Sequence, residues 1–369
     1  MKQVMILGGY GAFGQRISRS LAQAGIAIII AGRREKPART LLDAIKTTYP
    51  KANVAIATFD VQHTLTAALI RFSPTVVINT CGPFQLNDYT IATQCIQQHI
   101  NYIDLADARQ YVSEFHQLDQ KAKKAGVMLI TGASTVPGLS SAVLEHYQKT
   151  FKTIIKLTYG ISPGARSPRG LATTQSILTY LGRPISPAST QTPRYGWQDI
   201  YRQDYPLLGK RWMGNCDIPD LTLFPKHYHI QDIKFSAGME NSWLHLSIWF
   251  LSWLKRLGLP LNLVKHAKWL LKLSKPLDYF GTDNGGMHMI IDGIDHHNRP
   301  RTLKWFIIAK NGDGPQIPCI PAIVLAQNML NGKKLPSGAY PCVGLLSLDI
   351  YLAQLQDFDI QVFCEEIAN

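Results

Sequence analysis

Val4-Met5-Ile6-Leu7-Gly8-Gly9-Tyr10-Gly11-Ala12-Phe13-Gly14 is the stretch from which the fold is read. Four apolar residues lead into a G-x-G-x-x-G loop. Behind the loop, Phe13, Ile17, Leu21 and Ala24 recur at spacings of three and four, the period of one helix face. Gly25 stops that helix, and a second apolar run, residues 26–31, follows. Strand, glycine turn, helix and strand make one βαβ unit. In that setting Gly9 permits the tight turn, Gly11 lets the backbone approach a pyrophosphate, and Gly14 lets the helix pack on the strand. The helix start adds unpaired N–H groups and the positive end of a dipole for the phosphates. The run Gly8, Gly9, Tyr10, Gly11, Ala12, Phe13 and Gly14 is therefore assigned to a dinucleotide.

An absence narrows the cofactor. A site for NAD carries an Asp or Glu at the end of the second strand, about 20 residues beyond the loop, to hold the ribose hydroxyls. Here the strand ends Ala31-Gly32-Arg33-Arg34, and Glu35 comes after the arginines. A guanidinium is a permanent, planar, multiply donating cation that suits a 2′-phosphate. Arg33 and Arg34 thus point to NADP(H). The competing reading leaves both arginines solvated and turns Glu35 inward.

The alternation continues. Strands are expected at residues 54–58, 76–79, 102–105 and 127–131, and helices at 38–48, 65–72, 88–98 and 111–125, giving a six-stranded, doubly wound parallel sheet. Ligands bind beyond the carboxyl ends of such strands. That places Asp60, Val61, Thr80, Cys81, Gly82 and Pro83 on the same crevice as the glycine loop. Past residue 150 the texture changes. A strand at 153–159, a helix at 171–181, a Pro-rich loop at 183–193 and strands at 287–294 and 302–309 suggest an α+β domain over 151–312 with a mainly antiparallel sheet. Residues 313–369, with a helix at 322–330, are expected to pack back on the nucleotide domain of residues 1–150.

Composition excludes several classes. The formal charge is +13, but the basic residues are mostly dispersed and no nucleic-acid motif occurs, so no nucleic-acid partner is expected. Six scattered cysteines offer no C-x-x-C pair and no zinc spacing, which fits free thiols in the cytosol and no metal. His296-His297 reads as part of a solvated turn. The apolar run after Met1-Lys2 stops at Gly8, too short for a secretion signal.

These residues resemble the saccharopine dehydrogenase-like family. The likeness lies in the run from Gly8 to Gly14 with Ala31-Gly32-Arg33, in Val77-Ile78-Asn79-Thr80-Cys81-Gly82-Pro83-Phe84, in Tyr102-Ile103-Asp104-Leu105-Ala106, in Gly132-Ala133-Ser134-Thr135-Val136-Pro137-Gly138 and in Gly312-Asp313-Gly314-Pro315. It covers roughly the first 150 residues and the end. The resemblance implies an NADP(H)-linked reductase with a Rossmann domain and an α+β domain. Some members reduce imines in lysine and polyamine pathways, and others act on lipids. This chain departs from the family at Asp107-Ala108-Arg109, where many members have Gly-Glu, and at Ser134, where they have an aspartate. An amino-acid substrate site cannot be carried over there.

Reduction of an imine, ketone or enoyl group also uses a proton donor. Asp107 and Tyr89 are the candidates on the crevice loops, with structural roles as cap and packing residue as the alternative. Arg166, Arg169 and Thr173 flank a helix opened by Gly170 and are weighed as holders of a carboxylate or phosphate. Residues 243–275 stand apart. They carry Trp243, Trp249, Phe250, Trp253 and many leucines, interleaved with Lys255, Arg256, Lys265, Lys268, Lys272 and Lys275, and no acidic residue. The segment reads either as an interfacial helix pair on an anionic membrane or as a helical hairpin buried in the core or a homodimer interface. The resulting expectation is a cytoplasmic, membrane-peripheral NADP(H)-dependent oxidoreductase with a small-molecule or lipid-linked substrate. The alternatives are a soluble imine reductase and a non-catalytic NADP(H)-binding sensor or scaffold.

Overall fold

The computed structural model describes residues 2–85, 87–168, 170–185, 193–260, 262–332 and 335–368. Its strands, in chain order, are β1 (Gln3–Leu7), β2 (Ala27–Gly32), β3 (Val54–Thr58), β4 (Val76–Asn79), β5 (Asn101–Asp104), β6 (Met128–Thr131), β7 (Thr153–Ser162), β8 (Tyr201–Tyr205), β9 (Gly209–Asn215), β10 (Asp232–Met239), β11 (Gly285–Ile294), β12 (Pro300–Ala309), β13 (Gly338–Pro341) and β14 (Ile360–Ala368). They form two seven-stranded sheets. The chain divides into two compact units, Met1–Ala142 with Gln316–Leu346, and Val143–Pro315 with Ser347–Asn369.

The first unit holds a sheet in the order β13-β6-β5-β4-β1-β2-β3, every neighbouring pair parallel. Helices cover both faces of such a sheet, so its strands read as unbroken apolar runs. Val4 to Leu7 and Ile28 to Ala31 are accordingly all buried. Strand order reverses between β1 and β4, the switch point at which a crevice opens beyond the carboxyl ends. The helix Gly14–Gln23 buries Ile17 and Leu21. Asp60 caps the helix Val61–Phe72, accepting a hydrogen bond from the Gln62 N–H at 2.9 Å.

Two details differ from expectation. The single helix expected over 111–125 is three pieces: Arg109–Ser113, a 3₁₀ turn at Phe115–Leu118, and Asp119–Ala125. The break carries Phe115 into the rings of Tyr89, Tyr102 and Tyr111. A seventh strand, β13, extends the sheet beside β6. Four residues with Gly338 and Pro341 give no strand signal in sequence, and an edge position is where proline is tolerated.

The second unit holds a mixed sheet, β14-β12-β11-β7-β10-β9-β8, in which only β7 and β10 run parallel. β11 and β12 form the expected hairpin. Its turn is held by Asp295, which accepts from the N–H groups of His297 and Arg299. The Pro-rich stretch expected as a loop lies outside the described residues at 186–192. The tail divides: residues 316–346 belong to the first unit, while β14 pairs with β12 in the second. On the second sheet, His288 is fully buried, its ring nitrogens 2.8 Å and 3.3 Å from the hydroxyls of Tyr205 and Tyr201. Burial pushes its pKa down to about 3, so it is neutral.

Residues 243–275 form the helix Ser242–Arg256, capped by Asn241, and the helix Ala267–Ser274, followed by a 3₁₀ turn at Lys275–Phe280. Nine of the sixteen exposed large hydrophobic residues among the described residues lie between 243 and 280, with Trp243 and Tyr279 each 79% exposed. Among the described residues, no helix is long and apolar enough to cross a membrane.

Candidate nucleotide-binding site

A cavity of about 890 Å³ opens where β1 and β4 part. Its wall includes Gly8, Tyr10, Gly11, Arg33, Arg34, Asp60, Val61, Cys81, Gly82 and Pro83, which places ten of the residues assigned to the cofactor at one opening. Gly9, Ala12, Phe13, Gly14 and Thr80 support it from outside the lining.

The glycines divide the labour as their surroundings require. Gly8 has φ +73°, a left-handed conformation that favours glycine, and a Cβ there would stand 2.7 Å from Thr80 Oγ1. A Cβ on Gly9 would come within 3.2 Å of the Ile30 backbone, and one on Gly14 would overlap the Gly8 carbonyl. Gly11 is different. It lines the cavity, and the Gly8 carbonyl oxygen, at 3.0 Å, is the single atom its Cβ would meet. The missing side chain leaves its outer side open to a ligand. The helix beginning at Gly14 has no side-chain cap; the N–H groups of Gln15, Arg16 and Ile17 donate to the carbonyls of Gly11 and Phe13, so what the helix start offers an anion is chiefly the positive end of its dipole.

Across the cavity, the Thr80 hydroxyl donates to the Leu7 carbonyl at 2.8 Å, tying the end of β4 to the end of β1. The sequence reading passed over Asn79, which lines the cavity from the last position of β4. Its Oδ1 accepts from the Cys81 N–H at 3.0 Å, and its Nδ2 donates to Tyr102 Oη at 3.1 Å. A polar residue closing an apolar strand at the switch point was the available signal. Burial pushes the Cys81 thiol up to about 11, against the pull of the Arg33 charge, so Cys81 is a neutral wall residue rather than a thiolate. Phe84, expected on this crevice with the rest of its loop, and Tyr111, which was not, add aromatic wall with ring centroids 5.5 Å apart.

The arginines stand exposed at the end of β2. Glu35 does not turn inward: its carboxylate pairs with Arg39 at 2.7 Å along its own helix. That leaves the end of β2 cationic.

Neither candidate proton donor lines the cavity. The Tyr89 hydroxyl donates to the Tyr111 carbonyl at 2.9 Å, its ring packs on Tyr111 and Phe115, and burial pushes its pKa up to about 12. The half-buried Asp107 accepts from Gln85 Nε2 at 3.0 Å. Below them Asp104 is fully buried, accepting at one oxygen from the Ala106 and Gly132 N–H groups and the Thr131 hydroxyl. Burial raises its pKa to about 6, against those hydrogen bonds. In the second unit, Arg166 donates to the Tyr279 carbonyl at 3.1 Å, Thr173 is exposed, and Arg169 lies outside the described residues.

Residues 4–130 match the family described as "Saccharopine dehydrogenase NADP binding domain". The donor set fits that cofactor: an open glycine at the loop and arginines without an acid at the end of β2. No curated protein matches the chain significantly. Among solved structures, the chain is similar to an apo saccharopine dehydrogenase (L-Glu forming) from Saccharomyces cerevisiae, with 13% identity, 100% of each chain covered and a TM-score of 0.67. It also matches LigD from Sphingobium sp. strain SYK-6, at 13% identity over 35% of this chain and 76% of that one, with a TM-score of 0.29. A short-chain dehydrogenase/reductase from Serratia marcescens gives 13% identity over 35% and 72%, with a TM-score of 0.30.

Proposed function

We propose that this chain, whose residues 4–130 match the saccharopine dehydrogenase NADP binding domain, is an NADP(H)-dependent reductase of the saccharopine dehydrogenase-like family that draws a hydrophobic or lipid-linked substrate from an anionic membrane surface on the cytoplasmic side. The observation that carries the membrane part is the exposed aromatic and basic face of residues 243–280. Tryptophan and tyrosine settle at the headgroup level, and lysines add attraction to anionic lipid.

When bound, NADPH supplies a hydride from its nicotinamide. The protein's part is to bind, orient and exclude water. The loop from Gly8 to Gly14 would hold the pyrophosphate, Arg33 and Arg34 would hold the 2′-phosphate, and Asp60 and Val61 would lie toward the adenosine. Cys81, Gly82 and Pro83 would form the wall on the nicotinamide side, with Thr80 behind them tying β4 to β1. Asp107, on the loop after β5, is assigned the proton; it stands outside the cavity lining and accepts from Gln85, so its place on that loop is all that supports this step. Tyr89 is assigned to holding Tyr111 in the cavity wall through its bond to the Tyr111 carbonyl.

A second reading, an imine reductase acting on a small amino acid, is favoured by the full-length likeness to the yeast saccharopine dehydrogenase fold. In it, residues 243–280 become a homodimer face. One measurement tests the cofactor assignment that both readings share, and a second separates them. Fluorescence titration should give tighter binding of NADPH than of NADH, and equal affinities would remove the arginine assignment. Vesicles of phosphatidylserine and phosphatidylcholine should sediment the protein, and vesicles of phosphatidylcholine alone should do so less. Protein left in the supernatant with both, running as a dimer, would favour the amino-acid reductase.

A further inference from the structure

Cofactor choice in this fold is usually read from what stands at the end of the second strand. Here that position is Gly32, and its own backbone does not ask for glycine. It is a regular residue of β2, paired with Thr58, and it lies outside the left-handed region. What asks for glycine is Tyr10. A Cβ on Gly32 would stand 2.7 Å from both Cζ and Oη of Tyr10, and closer still to its Cε1. The obstacle is a ring rather than the loose end of a flexible chain, and the ring is pinned. Its hydroxyl accepts from the Arg34 N–H at 3.0 Å, and the Arg34 guanidinium lies 5.8 Å from its centroid. Tyr10, Gly32, Arg33 and Arg34 all line the same cavity.

We propose that Tyr10 is the cofactor-specificity residue: its ring fills the space where the acidic side chain of an NAD site would begin, and its hydroxyl fixes the Arg34 backbone beside the opening. Selection against NAD is then a built exclusion, added to the attraction between the arginines and a 2′-phosphate. Discrimination commonly combines both devices. The inference rests on the NADP(H) reading of Arg33 and Arg34.

The test is a cycle of variants of the full chain, titrated with NADPH and with NADH by fluorescence. Tyr10→Ala should weaken NADPH by about tenfold while leaving NADH within a few-fold, as expected for a lost hydrogen bond and support of one cation. Gly32→Asp alone meets the ring, so it should weaken NADPH without tightening NADH. Tyr10→Ala with Gly32→Asp should tighten NADH by about tenfold or more over the parent, the range of a charge-assisted bond to a ribose hydroxyl. Equal tightening of NADH by Gly32→Asp alone, or a folded double variant with no gain for NADH, overturns the proposal. If the Gly32 variants do not fold, Tyr10→Ala and Tyr10→Phe decide, since an unchanged NADPH-to-NADH ratio in both overturns it. A parent protein that binds both cofactors equally would instead sink the arginine reading, a separate failure seen before any variant is made.

Discussion

Around the glycine loop, apolar side chains are buried and a few polar residues line the opening, among them Asn79, Arg33 and Arg34. Along residues 242–280 the arrangement is reversed. His245 and Ser252 point inward, while Trp243, Phe250, Trp269, Leu273, Tyr279 and Phe280 face out. The first region works by position. A parallel sheet buried on both faces fixes each backbone group, so one misplaced atom should undo the site. The second works by area and charge, which have no direction, so its losses should be graded and close to additive.

The largest expected effect tests the first half of that contrast. Gly11→Val should abolish NADPH binding in a protein that still melts cooperatively, because a side chain there stands where the pyrophosphate must approach. Retained affinity in a folded variant would mean that the loop holds no phosphate. Next comes the exposed face. Replacing Trp243, Trp269 and Phe280 together by serine should lower partitioning onto phosphatidylserine vesicles by about a hundredfold, at roughly 1 kcal/mol per aromatic ring. NADPH affinity should stay unchanged in the same preparation. A step-like loss from one substitution alone would make this face a shaped pocket, and the contrast would fail. Arg33→Ala should weaken NADPH far more than NADH, by the roughly 1.5–3 kcal/mol of a charge-assisted hydrogen bond. Equal weakening of both cofactors, read by the same titration, would assign Arg33 to the fold or the adenine.

The smallest effect separates the two units by pH. His288 has a depressed pKa, so its contribution is present above the unfolded value near 6.5 and is lost as pH falls toward about 3. Going from pH 7 to pH 5 should cost about 2 kcal/mol from this group. Asp104 has a raised pKa, so its contribution is full below the unfolded value and is lost as pH rises through about 6. The same acidification should return roughly 1 kcal/mol in the first unit. Urea unfolding at the two pH values should show His288→Asn flattening the acid loss and Asp104→Asn steepening it. The opposite pair of slopes would mean that neither group keeps its buried charge state.

What the sequence disclosed follows the same division. The parallel unit is assembled from neighbours in the chain, so its strands could be read from local apolar runs and its site from a loop of fixed spacing. Residues 338–341 and 360–368 could not be placed, because each pairs with a strand remote in sequence. β8 to β10 were hidden for another reason. Tyr201-Arg202-Gln203-Asp204-Tyr205 carries polar residues through a strand, and β9 buries Arg211 against Glu240, so the pattern lacks a clean apolar face. At the site, Gly32 could be read only as a missing acid. The ring that excludes a side chain there comes from Tyr10, 22 positions earlier by the numbering of the chain. Tyr89 showed a hydroxyl in sequence, but that its proton goes to a backbone carbonyl is a fact of packing.

β13 has a consequence for any attempt to borrow the nucleotide-binding half. The Ala339 N–H reaches back across 220 residues to Asp119, and β13 covers the otherwise open edge of β6. A fragment cut at residue 142 would lack that strand and the buried helix Ile320–Leu330, presenting bare β6 backbone to any passing strand. During refolding of the whole chain the same edge stays open until the distant segment arrives, and pairings of such sequence separation form late. A transplantable version of this half therefore has to carry residues 316–346, spliced in by a linker that replaces the second unit.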